Sequence, residues 1–524
     1  MLRKFLRNNP AALFAAILFY LYFRGIGDHG LIDPVEGVNA SVGVHMSAGG
    51  NYFVPKIGEA LTSGSTLGTW WLYALSLKVF GWGEFAVRFW SALSGLGMAW
   101  ASSIAAGSAG RKSRLAACVC AGMTLCFAVS QIASSHALYS CLMGLAMAGA
   151  VRSWEKKNSL ILAHTAITLA FIVHGFEGVI LPFTAVIVYC VLCDDREFLR
   201  NFFTWPGGVL ITVIFSGLYF VVLMIANPEI IHFMRCQKHM YTFGGVSGII
   251  IFVFASFIPF HGFIVRAVYE VMPREFPARK SPELFMFVWA AVFASAALLS
   301  GDILSLAACV PALSAMLGVK TDSWLERKNL LSVRYSVMFN MMILVPVMYI
   351  VLPFTINKFP VIKASLMSLI PYELAVGLFI FASWYYTKTR QIVKWVRNVP
   401  AAALLCLMPL AGVFNLTADV YSVRDIGLKL RDAIKGTDKV IQYSVNYPSM
   451  YFYTLRNSSI IEADFTEGVQ ERKFNAPYSL IGSLWAGKER VFLIMPNDKT
   501  PENPLPQSVF HLLEADGKLL LSNQ

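Results

Sequence analysis

Charged residues are scarce in this chain of 524 residues: they make up 14% of it, whereas 56% of the residues are hydrophobic. A soluble domain usually contains about 25% charged and about 45–50% apolar residues. The excess lies in long apolar runs, each able to cross roughly 30 Å of hydrocarbon as a helix. The composition therefore excludes an ordinary soluble protein and predicts one that crosses a membrane many times.

Cysteine is sparse too, and its spacing indicates neither a disulfide framework nor a metal site. Eight of the nine cysteines lie in or beside apolar runs, Cys236 stands alone in a loop, and the last hundred residues contain none. We interpret them as small buried hydrophobic residues and predict no metal site built on them.

Acidic residues are fewer than basic ones, 31 against 43, which gives a formal net charge of +12. Membrane proteins concentrate Lys and Arg in their cytoplasmic loops, and this bias accounts for most of the excess. We therefore expect no nucleic-acid partner. No small-residue cleavage site follows the apolar run 11–23, so we expect a retained first helix.

The apolar runs predict about thirteen transmembrane helices. The loops between them alternate between strongly basic and nearly neutral, and the positive-inside rule makes the basic set cytoplasmic. The N-terminus is then cytoplasmic and the C-terminus lies outside. The predicted spans are 10–26, 87–107, 114–131, 136–152, 159–174, 177–193, 207–226, 246–266, 284–300, 303–319, 334–354, 363–384 and 399–416.

Three segments on the neutral side are longer than connections need to be: 27–86, 228–245 and the tail 418–524. Long loops on one face of a helical scaffold usually carry the function. In the tail, β-like runs at 440–443, 459–461 and 491–495 alternate with helical stretches at 421–435 and 449–456. We predict an all-α polytopic membrane domain, 1–417, followed by a small extracytoplasmic α/β domain, 418–524.

The first external segment carries an ordered series of short motifs. They are Leu-Ile-Asp-Pro-Val-Glu-Gly at 31–37, Asn-Tyr-Phe-Val-Pro-Lys at 51–56 and Phe-Gly-Trp-Gly-Glu-Phe-Ala-Val-Arg at 80–88. The series resembles the opening of the GT-C fold glycosyltransferases that depend on a lipid carrier, in particular the lipid A aminoarabinose transferases and the protein O-mannosyltransferase superfamily. Ile-Pro-Phe at 258–260 and Tyr-Phe-Tyr-Thr-Leu-Arg at 451–456 are similar to later motifs of that family.

The resemblance implies a GT-C fold in a bacterial inner membrane and transfer of a sugar from a polyprenyl-phosphate carrier. The acceptor would be an envelope glycolipid, polysaccharide or protein, and protein partners in a complex are left open. Such a reaction needs a carboxylate to hold or deprotonate the acceptor, and cations to hold the leaving phosphate. The resemblance implies no certain cofactor, and a requirement for a divalent cation is left open.

The chain departs from the family where catalysis is concentrated. Val35 occupies the place of the catalytic acid, flanked by Asp33 and Glu36, and Ser65 and Tyr139 stand where other family acids are expected. Two hypotheses follow: a divergent transferase in which Glu36 or Asp33 supplies the carboxylate, and a catalytically inactive relative that binds a lipid carrier or acts as a scaffold. A transporter is a third and less favoured hypothesis, because the predicted spans contain few charged residues.

The second external segment carries a basic cluster that predicts a binding site for a lipid phosphate. Lys56 in the first segment is a further candidate, and unspecific attraction to lipid phosphates is the alternative. The cluster consists of His232, Arg235, Lys238 and His239. Arg88, as an ion-pair partner of Glu84 or Glu36, and His174, at an external helix end where the family has a lysine, are the predicted supporting residues.

Overall fold

The computed structural model is mostly helical. It describes residues 10–58, 60–62, 66–110, 114–226, 245–327, 330–346, 366–461, 479–497, 509–515 and 517–524. The described residues divide into two compact units. The helical unit contains 10–26, 88–225 and the described part of 245–413, and the second unit contains 27–87 and the described residues from 414 onward.

The first half of the chain is helical apart from short connections and a two-residue β-hairpin, β1 (Lys56–Ile57) with β2 (Ala60–Leu61). Its helices are α1 (Pro10–Phe23), α2 (Val35–Ser47), α3 (Leu67–Phe80), α4 (Glu84–Gly107), α5 (Arg114–Ala121), α6 (Thr124–Gln131), α7 (Ser135–Arg152), α8 (Leu160–His174), α9 (Glu177–Cys193), α10 (Arg196–Thr204), α11 (Pro206–Val209) and α12 (Ser216–Ala226).

The second half continues with helices and ends in a mixed sheet. Its helices are α13 (Gly245–Ser256), α14 (His261–Val271), α15 (Pro282–Ser300), α16 (Val310–Glu326), α17 (Leu330–Pro346), α18 (Leu366–Lys388), α19 (Ile392–Tyr421), α20 (Arg424–Ala433), α21 (Ser449–Thr454) and α22 (Ser479–Trp485). The strands are β3 (Lys439–Tyr443), β4 (Ser458–Ile461), β5 (Val491–Pro496), β6 (Phe510–Ala515) and β7 (Lys518–Ser522).

Two predicted spans are not continuous helices, which corrects the interpretation of the sequence. The span 114–131 breaks between α5 and α6, which are bent by 61°. The span 246–266 breaks between α13 and α14, where Pro259 cannot donate the backbone hydrogen bond of a continuous helix. Helicity also changes type within two spans: Leu210–Phe215 is a π-helix, and Ile303–Cys309 is a 3-10 helix that leads into α16.

Length and composition support membrane crossing. Within the described ranges, three helices are long and apolar enough to cross a membrane, and the bent pair α5–α6 gives a fourth candidate. Shorter apolar helices include Glu177–Cys193 and Leu331–Pro346. The chain is a polytopic membrane protein, and the number thirteen stays a prediction.

Small residues let helices of the helical unit approach closely. At Gly149 in α7, a Cβ atom would lie 2.7 Å from the backbone nitrogen of Ala163 in α8. At Gly178 in α9, it would lie 2.5 Å from the carbonyl carbon of Ala170. Lipid is as apolar as these helices, so close backbone packing replaces the hydrophobic effect as the source of helix association.

The tail sheet confirms the predicted strands and adds two. Its order is β4-β3-β5-β7-β6: β3 is parallel to β4 and β5, whereas β7 is antiparallel to β5 and β6. Ile441, Leu493 and Leu521 of the sheet form its core with Ile481 and Trp485 of α22. The hairpin β6–β7 is not among the predicted elements, although the Asp-Gly pair at 516–517 is a strong hairpin signal.

Gly149→Ala should destabilise the helical unit by about 1–3 kcal/mol, because the backbone of α8 cannot move aside as a flexible side chain would. Thermal unfolding in detergent is the measurement. Gly217→Ala in α12 is the matched control, since a Cβ there has nothing within 4 Å, and Ala is the better helix former. Equal unfolding temperatures for Gly149→Ala and the unchanged protein would contradict the packing argument.

Candidate functional site

Asp33, a predicted catalytic carboxylate, lies buried in the second unit and is bound by a residue of the tail. The backbone N–H of Ser449 donates to Asp33 Oδ1 at 3.0 Å, and the Ser449 hydroxyl donates to Oδ2. Burial raises the pKa of Asp33 to about 7; the two hydrogen bonds from Ser449 lower it, and the nearby Glu36 raises it again. A carboxyl group with such a pKa exchanges a proton near neutral pH.

Glu36, the other predicted catalytic acid, is fully buried in the first turn of α2. Its Oε2 accepts a hydrogen bond from the backbone N–H of Ile32 at 2.8 Å. A carboxylate in this position satisfies a backbone donor and lies at the positive end of the helix dipole. Val35 lies beside it, 9% exposed, and offers no titratable group.

The helix α2 packs closely on the tail helix α21 through polar contacts. The hydroxyl of Ser41 donates to the carbonyl of Pro448 at 2.7 Å, and His45 Nδ1 lies 3.3 Å from the Tyr451 hydroxyl. On its other side, Asn39 Oδ1 accepts a hydrogen bond at 2.9 Å from Trp70 in α3. The first external segment and the tail therefore form one folded unit.

The tail motif at 451–456 takes part in this packing through Tyr453. Its hydroxyl accepts a hydrogen bond from the N–H of Leu31 at 3.0 Å and donates one to Glu84 Oε1 at 3.2 Å. Glu84 also forms an ion pair with Arg424 at 3.1 Å, and Arg424 donates to the carbonyl of Asp28. The motif therefore fastens both ends of the first segment.

Only part of the predicted cationic site falls within the described residues. Lys56 lies in the β1–β2 hairpin, half-buried. Burial lowers the pKa of His45, and the charge of Lys56 lowers it further. The basic cluster of His232, Arg235, Lys238 and His239 lies outside the described residues, as does Ser65.

Arg88, predicted as a supporting residue, is fully buried in the helical unit. Its Nη1 donates to the carbonyl of Ile26 at 2.8 Å, where the chain leaves α1. This contact gives a hydrogen-bond donor to the carbonyl of Ile26, three residues beyond the end of α1. Glu84, one of the two acids predicted for Arg88, forms its ion pair with Arg424.

The helical unit contains a polar cluster that the sequence does not predict as a group. His136 Nε2 lies 3.0 Å from both carboxylate oxygens of Asp302, and the Ser305 hydroxyl donates to Asp302 Oδ2 at 2.6 Å. Burial alone would raise the pKa of Asp302, but His136 and His174 outweigh burial and hold that pKa below its usual range. Asp302 therefore stays ionised beside the imidazole.

His174 brings a second imidazole to the same place. Its ring stacks on Tyr139 with 4.2 Å between centroids and lies 5.5 Å from the ring of His136. His174 Nδ1 lies 3.1 Å from the Ser135 hydroxyl, and Nε2 lies 3.6 Å from Glu177 Oε2. We refer to His136, His174, Asp302 and Glu177, with Tyr139, as the imidazole–carboxylate cluster.

The cluster joins three turns, and the pattern of loop charge predicts that all three lie on the same face of the membrane. His136 begins α7, His174 ends α8 and Glu177 begins α9, while Asp302 precedes the 3-10 helix before α16. No site role is predicted from the sequence for His136 or Asp302. Within the described ranges no group of three or more His, Cys, Asp or Glu side chains is arranged to hold a metal ion.

Comparison with known proteins identifies the fold. The crystal structures of ArnT from Cupriavidus metallidurans, in the apo state and bound to undecaprenyl phosphate, match with TM-scores of 0.75 and 0.74 at 17% sequence identity. The first match covers 99% of this chain and 98% of that one, and the second covers 98% of each. The chain has the ArnT fold. The predicted GT-C architecture is thereby confirmed over nearly the whole chain.

Sequence comparisons agree. Residues 65–220 match the family model of dolichyl-phosphate-mannose-protein mannosyltransferases. An undecaprenyl phosphate-alpha-4-amino-4-deoxy-L-arabinose arabinosyl transferase 2 from Proteus mirabilis is 24% identical over 54% of each chain, and an uncharacterized protein from Aquifex aeolicus is 24% identical over 44% of this chain and 45% of its own. The chain thus spans about half the length of the curated relatives it matches.

The raised pKa of Asp33 predicts a defined pH dependence of stability. Between about pH 4 and pH 7 the folded protein holds a proton at Asp33 that the unfolded chain has released, so stability from this group falls as the pH rises across that window. Asp33→Asn should remove this pH dependence of stability. The measurement is the unfolding temperature in detergent at each pH. The unfolding temperature of the unchanged protein minus that of the variant should fall from pH 4 to pH 7. A difference that stays constant with pH would contradict the burial of the carboxyl group. Asp432→Asn, at an exposed carboxylate, is the control.

Proposed function

We propose that this protein is an integral membrane glycosyltransferase that moves a sugar from a polyprenyl-phosphate donor to a cell-envelope acceptor. The observation that carries the proposal is the whole-chain match to ArnT, whose fold has been solved with undecaprenyl phosphate bound. The matches to the mannosyltransferase family model and to the arabinosyl transferase support the same class of reaction.

In the proposed arrangement residues 1–417 form a domain embedded in a bacterial inner membrane, with the N-terminus in the cytoplasm. The tail domain, 418–524, lies on the extracytoplasmic side. The alternation of basic and neutral loops supports this orientation. It places the first segment, the second segment and the imidazole–carboxylate cluster on the face where a flipped lipid-linked sugar would react.

The basic cluster of the second segment is proposed to hold the phosphate that leaves with the carrier lipid. Cations stabilise the negative charge that develops on the leaving oxygen, and they do so more strongly in a water-excluded site. Lys56, on the first segment, is the further cation proposed for this phosphate.

Asp33 and Glu36 are proposed to serve the reaction mainly by shaping the first segment. Each already accepts hydrogen bonds from backbone or side-chain donors, and both are buried. Asp33 holds α21 against α2, and Glu36 fixes the start of α2. Their predicted catalytic role stays a prediction that an activity assay can separate from this structural one.

A transfer assay tests the function. The purified protein in vesicles should convert an undecaprenyl-phosphate-linked sugar and an envelope lipid extract into a glycosylated product that mass spectrometry detects. Aminoarabinose and hexose donors should be compared, since the chain alone does not define the sugar. Absence of product with every donor and acceptor would contradict the proposal and favour an inactive relative.

The basic cluster gives a second prediction. Arg235→Ala with Lys238→Ala should raise the KM for the lipid-linked donor at least about tenfold, because each charge-assisted hydrogen bond contributes about 1.5–3 kcal/mol. Arg274→Ala with Arg279→Ala, in the loop predicted to be cytoplasmic, is the matched charge control and should leave KM unchanged. Equal effects of the two pairs would indicate unspecific electrostatics instead of a site.

A further inference from the structure

The imidazole–carboxylate cluster is unusual for its surroundings. His136 and Asp302 are 8% and 1% exposed, within a unit built almost wholly from apolar helices. Removing a charge from water is costly unless a partner compensates it, and even a compensated pair is often no more stable than well-packed apolar side chains. Packing alone therefore gives no reason for an ion pair here, which points to a chemical use.

The geometry of the pair defines which nitrogen of His136 is basic. An ionised carboxylate only accepts hydrogen bonds, so the nitrogen facing Asp302 carries the proton. Nε2 is that nitrogen, at 3.0 Å from both oxygens. In the neutral ring Nδ1 then holds the lone pair, and the carboxylate stabilises the imidazolium that forms when Nδ1 takes a proton. Ser305 holds Asp302 in place from its other side.

We propose that His136, oriented by Asp302, is the general base that deprotonates the sugar acceptor; this rests on the proposed function. The acceptor O–H bond breaks and its proton passes to Nδ1 of His136. The acceptor oxygen forms a bond to the anomeric carbon of the sugar. The bond from that carbon to the carrier's phosphate oxygen breaks, and its electron pair leaves on the polyprenyl phosphate.

The remaining members of the cluster connect it to a more exposed carboxylate, that of Glu177. The side chain of Glu177 is 38% exposed and that of His174 is 11% exposed, and they lie 3.6 Å apart. The ring of His174 lies 5.5 Å from that of His136, and the stacked ring of Tyr139 fixes its orientation. Among these side chains only that of Glu177 is substantially exposed, since those of His174 and His136 are 11% and 10% exposed.

This assignment also fits the inventory of acids in the two units. The catalytic place in the first segment holds Val35, and the neighbouring Asp33 and Glu36 are bound to Ser449 and Ile32. The cluster contains an ionised carboxylate with an imidazole on it. The His136–Asp302 pair therefore supplies a base within the helical unit alone.

The test is the pH dependence of the transfer rate in vesicles. His136→Gln should lower kcat by about 10²–10⁴-fold with little change in KM for the donor, as expected for loss of a general base. It should also abolish the rise of rate with pH that the deprotonated base produces. Asp302→Asn should also lower kcat with little change in KM for the donor, because an amide does not compensate the charge of the imidazolium. The titratable side chains in or beside the cluster include Asp302, His174, Glu177 and Tyr139, and Cys309 lies close to Tyr139.

His164→Gln is the matched control. His164 is also a buried histidine of the helical unit, bonded to the Thr212 hydroxyl and the carbonyl of Phe202, and it belongs to no part of the cluster. It should leave the shape of the pH profile unchanged. Unfolding temperatures of all three variants separate loss of folding from loss of chemistry.

The outcomes separate the inference from the proposed function. Turnover by the unchanged protein, with His136→Gln folded, nearly inactive and without the pH-dependent rise, supports the inference. Turnover by folded His136→Gln at the original rate and with the original pH profile overturns the inference and leaves the proposed function standing. No turnover by the unchanged protein with any donor overturns both.

Discussion

The ion pair between His136 and Asp302 is the interaction on which the proposed chemistry of the helical unit depends. A lone carboxylate among apolar helices would take up a proton instead of remaining charged. Here His136 and His174 keep Asp302 ionised despite its burial. Three turns far apart in the chain must meet to build this arrangement, so the packing of α7, α8 and α9 through Gly149 and Gly178 is a precondition for it.

In the second unit burial also acts on a carboxylate, that of Asp33, but here the pKa rises. Asp33 is buried without a cation as its main partner, and its compensation comes from two donors of Ser449. Hydrogen bonds alone do not outweigh the loss of hydration, so the pKa of Asp33 rises to about 7. These two buried aspartates thus have pKa values shifted in opposite directions, which suits Asp302 to charge stabilisation and Asp33 to holding α21 on α2.

Much of the fold can be predicted from the sequence, for physical reasons that apply residue by residue. Apolar length locates helices such as 87–107 and 177–193, and the switch to alternating runs locates three tail strands. Apolar length alone does not reveal the breaks at 122–123 and 257–260, because the residues remain apolar across each break; Gly122 and Pro259 are the local signals that mark them. The cluster escapes prediction because His136 and Asp302 are 166 residues apart, and only the folded chain brings their turns together.

The family resemblance locates the fold correctly, and the family motif directs attention to the acids beside Val35. It cannot show that Asp33 is already engaged, since a hydrogen bond with Ser449, 416 positions away, leaves no local signal. Loop charge gives part of the missing information about the cluster. It predicts that the turns of His136, His174 and Asp302 lie on a common face, but it does not predict that the three side chains meet.

The most direct test of the account is a cryo-electron microscopy structure with an undecaprenyl-phosphate-linked sugar bound. The account predicts that the anomeric carbon faces Nδ1 of His136 across a gap wide enough for an acceptor oxygen, with Asp302 still on Nε2 of that ring. A bound sugar whose anomeric carbon lies against other residues, with the His136–Asp302 pair sealed behind protein, would contradict it.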